Sequence, residues 1–193
     1  MSLETPMIRV NWTRMTLDFW KQRLPPEILR GALDAVGLTT LARLDEAGPL
    51  EWLPAEHHVR VAVAPAPLLR PLEYRKLWCQ MVLASFERPL FRVIAETAMR
   101  SFKKTPGDMA RLIPRSWTLV GRGMGEMAIM AETPRLTIVT CSKLPALLRA
   151  APDFSTAWLG ALDAFYELSA HQGSVEMNTG DLAAGRVVYT MRW

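Results

Sequence analysis

The chain is poor in the residues from which most metal and catalytic centres are built. Its 193 residues include two cysteines, three histidines and three tyrosines. Cys79 sits in a helical pattern and Cys141 ends a strand-like one, so both are expected to be buried thiols acting as small hydrophobes rather than a disulfide or redox pair. Long apolar runs are also missing. Stretches such as 59–66 are interrupted by Arg, Pro or Glu, well short of the roughly 18 residues that a membrane-crossing helix needs. Glu4, Pro6 and Arg9 stand where an export signal would carry its apolar core, so the expected compartment is the cytoplasm.

Motifs for phosphate, nucleophile and metal chemistry are missing too. Gly121-Arg122-Gly123-Met124-Gly125 comes near a dinucleotide fingerprint, but its third glycine is one residue early and a strand, not a helix, is expected to follow. There is no Walker loop, nucleophile elbow or His-Glu-x-x-His. His57 and His58 are adjacent on what reads as extended backbone, which would point them to opposite faces, and neither has a ligand-type residue four positions on. His171 falls at an expected helix C-terminus, where the dipole favours an imidazolium. Glu87, Glu96, Asp163 and Glu167 fall on expected solvent faces, with Asp163 and Glu167 as i,i+4 surface neighbours. The expectation is therefore a non-enzymatic chain with no cofactor and no metal.

What is present is ordinary globular material: half of the residues are apolar and 22% are charged, with enough length to bury one core. The net charge of +4 is unevenly spread. Residues 60–115 hold eleven Lys/Arg against four Asp/Glu, whereas the segments on either side are slightly acidic. Arg100, Lys103, Lys104, Arg111 and Arg115 form the candidate basic patch for an acidic partner or nucleic acid. No aromatic residues interleave them, and Lys or Arg at a helix end also satisfies the last carbonyls, so nucleic-acid binding ranks low.

The periodicity predicts an α+β chain: N-terminal helices, then a four-stranded antiparallel sheet in hairpin–helix–hairpin order, covered by helices on one face. Helices are expected over 10–24 and 26–36, the second with Pro26 in its first turn and Gly37 just past its end. Residues 38–68 read as an irregular connection with a short extended piece at 58–64. Further helices are expected at 71–86, 87–104 and 106–113, the last ended by Pro114. The period then changes to two, with Met127, Ile129 and Ala131 on one face and a Thr133-Pro134 turn. A helix over 155–170 carries Trp158, Ala161, Leu162, Phe165 and Leu168 inward, and Val187, Tyr189, Met191 and Trp193 share a face of the last strand. The whole, 1–193, is expected to be one domain, with 1–66 as a helical extension and 67–193 as the core.

Seven tryptophans and eleven methionines exceed the obvious needs of such a core. Trp78, Met81, Phe91, Met99 and Trp158 are the candidate lining of an apolar pocket or interface, because Met adapts its shape and Trp offers broad apolar area.

The succession of an enclosed helix around Trp78, an amphipathic helix, Ile113-Pro114, a hairpin, the helix with Trp158-Leu159-Gly160 and a final hairpin ending at Tyr189-Thr190-Met191-Arg192-Trp193 resembles a known family over residues 67–193. This is the myxobacterial paralogous family of unknown function, grouped with the haem-nitric-oxide-binding, four-vinyl-reductase and Bet3-type trafficking domains. The resemblance implies a helical bundle on a four-stranded antiparallel sheet, used for ligand binding or dimerisation. The haem-binding relatives carry a proximal histidine and a Tyr-x-Ser-x-Arg motif, and this chain has neither: no histidine stands between His58 and His171. Cys79 and Cys141 cannot supply the cysteine cluster of the reductases, and Cys79 is the one conceivable counterpart of the trafficking domains' lipid-accepting cysteine. The leading expectation is a regulatory or scaffolding domain acting through protein contacts, as a homodimer with an unidentified protein partner. The alternative is a small-molecule sensor with an apolar ligand in a Met/Trp-lined pocket.

Overall fold

A computed structural model describes residues 5–87 and 105–193. The chain enters through a short strand, β1 (Met7–Arg9), and continues into helix α1 (Val10–Arg23), whose Trp20 is buried with its indole N–H donating to the Val61 carbonyl at 3.1 Å. Leu24 leaves the helix extended before Pro25-Pro26, as the conformational restriction ahead of proline requires. Pro26 opens α2 (Pro26–Val36), and Gly37 closes it at φ +81°, a left-handed conformation that costs glycine little.

Residues 38–68 are more regular than their sequence suggests. They form α3 (Leu38–Glu46), strand β2 (Trp52–Pro54), α4 (Ala55–Val63) and a 3-10 turn at Ala66–Leu68. The extended piece expected at 58–64 is therefore helical. Its buried residues Ala55, His58, Val59, Val61 and Ala62 cover more than one face, so the run carries neither a clean 3.6 nor a clean 2 period. The β2 strand joins β1 and the two-residue β3 (Gly121–Arg122) in a small antiparallel sheet of order β2–β1–β3. This second sheet ties the N-terminus to the middle of the chain.

Helix α5 (Pro71–Phe86) begins with Arg70 and Glu73 closing its first turn: the Glu73 carboxylate accepts the Arg70 backbone N–H at 3.1 Å. The expected helix at 87–104 lies outside the described residues from 88 onward. After it come α6 (Pro106–Ala110), capped reciprocally by Thr105 and Asp108, and α7 (Ile113–Val120). Pro114 thus starts a helix rather than ending one, because a first-turn proline lacks only an N–H that has no helical partner anyway.

The main sheet follows as expected, with order β4–β5–β7–β6 and every pair antiparallel. It comprises β4 (Glu126–Thr133), β5 (Leu136–Ser142), β6 (Ser174–Asn178) and β7 (Val187–Arg192). Val139, Cys141, Val175, Val187, Tyr189 and Met191 are buried beneath the helices. The expected alternation breaks once in β4. A register shift between Ile129 and Ala131 leaves Met130 exposed and takes Ala131 out of the inner face. The short α8 (Ala146–Arg149) leads to α9 (Pro152–Ser169), which starts earlier than its sequence suggests and has no side-chain cap. It ends with Ala170 at φ +55° and the His171 N–H bonded back to the Tyr166 carbonyl, the usual left-handed helix exit. No helix among the described residues is long and apolar enough to cross a membrane.

Helices α5 and α9 approach each other closely. A β-carbon on Gly160 would stand 2.2 Å from the Arg75 carbonyl oxygen and 2.9 Å from the Trp78 β-carbon. The Arg75 guanidinium then clamps the same pair of helices by gripping the Asp163 carboxylate at 2.5 and 2.6 Å. Asp163 is therefore not on a solvent face, as its sequence position suggests, but partly buried against α5. An ordinary helical Gly→Ala change stabilises by about 0.5–1 kcal/mol. Here the sign reverses: Gly160→Ala is expected to lower unfolding free energy in urea by about 1–3 kcal/mol through overpacking, and a neutral or stabilising result would show that the helices can part.

Candidate functional site

Helices α1, α4, α5, α7 and α9 leave a cavity of about 120 Å³ between them. Its walls follow from helical periodicity. On α5, Trp78, Val82, Ser85 and Phe86 recur at steps of three and four; on α7, Ile113, Ser116, Trp117 and Val120 do the same. Helix α9 contributes Phe154, Ala157, Trp158, Ala161, Leu162 and Phe165, and Trp12, His58 and Leu112 complete the described lining. Ala157 and Ala161 are small where their neighbours are large, and this contrast leaves the space. Trp117 and Trp158 meet edge to face at 4.9 Å and close the side toward the sheet. Beyond them lies only a void of about 10 Å³ against Met127, Cys141 and Tyr189.

None of the described lining residues carries a formal charge at neutral pH. His58 is fully buried, and burial pushes its imidazole down to about 3, so it is neutral in the folded chain. Its Nδ1 lies 3.2 Å from the Thr13 hydroxyl, and its ring meets Phe154 edge to face at 5.9 Å. Trp78 packs edge to face with Trp20 at 5.3 Å, and its buried indole nitrogen lies beside the Tyr74 hydroxyl without a well-aligned hydrogen bond.

Of the residues singled out by sequence, Trp78 and Trp158 line this cavity. Met81 is buried to 1% exposure but is not part of the described lining. Phe91 and Met99 lie outside the described residues, as do Arg100, Lys103 and Lys104 of the basic patch. Arg111 is already engaged by Glu132 at 2.9 Å and Asp108 at 3.3 Å, while Arg115 is exposed on α7. The two cysteines are free and buried, and desolvation pushes both thiols up to about 12, away from nucleophilic thiolate. Among the described residues no group of three His, Cys, Asp or Glu converges as a metal site. Sequence reasoning missed His58 as part of the cavity because its helix was read as extended; the signal available was the apolar run 59, 61 and 62 beside it.

No family model matches the chain, and no curated protein matches it. Solved structures do. The Fe(II) unliganded H-NOX protein from K. algicida superposes with a TM-score of 0.66 at 8% identity, covering 96% of both chains. An oxygen-binding H-NOX domain related to soluble guanylate cyclases, in its oxygen complex, gives 0.60 at 10% identity over 96% of this chain and 94% of that one. A mutant of the T. Tengcongensis H-NOX gives 0.58 at 11% identity over 96% and 97%. The chain therefore has the H-NOX fold along nearly its whole length, including the N-terminal helices that the sequence resemblance left out.

The buried imidazole makes stability pH-dependent in a defined direction. In the unfolded chain His58 protonates near 6.5, whereas in the folded chain it stays neutral until about 3. Below pH 6.5 the unfolded state alone takes up the proton, so stability is full above that pH and falls as the pH drops towards 3. Between about pH 6 and 4 the His58-dependent loss is expected at about 1.4 kcal/mol per unit, measured by urea unfolding. Comparison with His58→Leu isolates it: a variant with the same slope as the parent would remove His58 as the cause.

Proposed function

We propose that this domain is a small-molecule sensor in which an uncharged apolar ligand, rather than haem, occupies the cavity between α5, α7 and α9. The observation that carries this reading is the cavity itself: walled largely by aromatic side chains, free of charge along its described walls, and given its space by the small Ala157 and Ala161. Apolar cavities of about this size take benzene- or xenon-sized guests. The shared fold supports a sensing role because the similar structures are H-NOX proteins with oxygen or an Fe(II) centre, but fold alone does not assign a ligand.

Haem was tested against the residues present and does not fit them. The described wall of the cavity offers no cation to a propionate and a single imidazole, already bonded to Thr13 through Nδ1. Residues 88–104, which are not described, contain no His, Cys or Tyr, and Met99 is their one residue of an axial-ligand type. Regulation through protein contacts, as a homodimer or with a partner, enters this reading as the sensor's output rather than its primary chemistry.

The experiment is a paired titration of the purified chain. Benzene is expected to raise the melting temperature and to quench tryptophan fluorescence saturably, while haemin leaves its free spectrum unchanged. Ala161→Leu, which places three more carbons in the cavity, is expected to weaken benzene binding at least tenfold. A stoichiometric haem absorption band, or benzene indifference in the parent chain, would overturn the reading.

A further inference from the structure

Two donors in this cavity wall lack a well-aligned acceptor among the described residues, and they say what the ligand must bring. The Thr13 hydroxyl is buried, and His58 Nδ1 at 3.2 Å is its one described hydrogen-bond partner. A hydroxyl proton left without an acceptor in such a place costs about 1–3 kcal/mol. It is satisfied only if Thr13 donates to Nδ1, which makes Nδ1 the bare nitrogen of a neutral imidazole and puts the ring proton on Nε2. His58 Nε2 then carries an N–H, and the one described hydrogen bond of the ring is the Nδ1 contact with Thr13. The Trp78 indole N–H, on the same cavity wall, has the Tyr74 hydroxyl beside it but no well-aligned acceptor among the described residues.

We infer that the ligand is a compact, uncharged molecule with an apolar body and one hydrogen-bond-accepting oxygen, received by His58 and Trp78. This rests on the apolar cavity proposed above and names the chemistry that fills it. A carboxylate or phosphate is disfavoured because no described lining cation offsets its desolvation. A pure hydrocarbon fills the space but leaves both donors unpaired. A carbonyl or ether oxygen on a single ring satisfies them without importing charge.

The test uses two ligands of nearly one shape, cyclohexanone and methylenecyclohexane, in which the carbonyl oxygen is exchanged for a CH₂ group. Both are titrated into the parent chain, His58→Phe and Trp78→Phe, with binding followed by calorimetry and fold integrity by circular dichroism. In His58→Phe the ketone is expected to lose about five- to tenfold in affinity while the hydrocarbon changes less than twofold, and Trp78→Phe gives the second, independent donor deletion. In parallel, ¹⁵N shifts of the His58 ring are expected to show a protonated Nε2 and a bare Nδ1. If the hydrocarbon binds but neither variant discriminates between the two ligands, the donor assignment is overturned and the apolar cavity stands. If neither ligand binds the parent chain, both are overturned.

Discussion

The contact between α5 and α9 at Gly160 is the constraint on which the rest depends. With the backbone of one helix laid against a glycine of the other, the two axes are fixed close together, and the Arg75–Asp163 pair holds their rotation. That closeness decides which side chains meet beyond the crossing. Trp78 lies directly at it, so the α5 stripe from Trp78 to Phe86 and the α9 stripe from Phe154 to Phe165 open onto one space. The sheet receives the other side of α9, where Tyr189 donates to the Ser155 carbonyl at 3.0 Å. The cavity is thus a product of packing: large rings prop the walls apart and Ala157 and Ala161 decline to fill the gap.

The chain shares its architecture with H-NOX proteins, and the described wall of its own cavity has a chemistry of its own. It holds one histidine and no cationic or phenolic side chain, and Trp12, Trp78, Trp117 and Trp158 supply indoles. A fold of this kind is a frame of helices on a sheet with an interior site, and the occupant is set by a few side chains rather than by the frame. The low pKa of His58 belongs to the same pattern: an imidazole surrounded by Phe154 and other apolar groups remains neutral and serves as a hydrogen-bonding group.

Much of this was legible in the sequence, and the parts that were not have physical causes. The main sheet was readable because one face is buried and the other is not, so Val187, Tyr189 and Met191 alternate cleanly with their neighbours. Trp78 and Trp158 stood out as cavity candidates because aromatic residues on enclosed helices must pack against something large. Helix α4 was hidden because burial of Ala55, His58, Val59, Val61 and Ala62 erases the amphipathic period on which helix recognition relies. The small sheet was hidden because β1, β2 and β3 are each three residues or fewer, too short for alternation to show. Asp163 reads as a surface carboxylate on its own helix, and only the approach of Arg75 from α5, 88 residues earlier, removes it from solvent.

The central claim is that a largely apolar chamber is a built feature of this domain. A crystal structure determined under xenon pressure tests it most directly, because xenon reports accessible apolar space without depending on hydrogen bonds. The account predicts one well-occupied xenon atom among Val82, Phe154 and Ala161, with the surrounding side chains unmoved. A chamber filled by rearranged tryptophans, or one holding ordered water and no xenon, would contradict it.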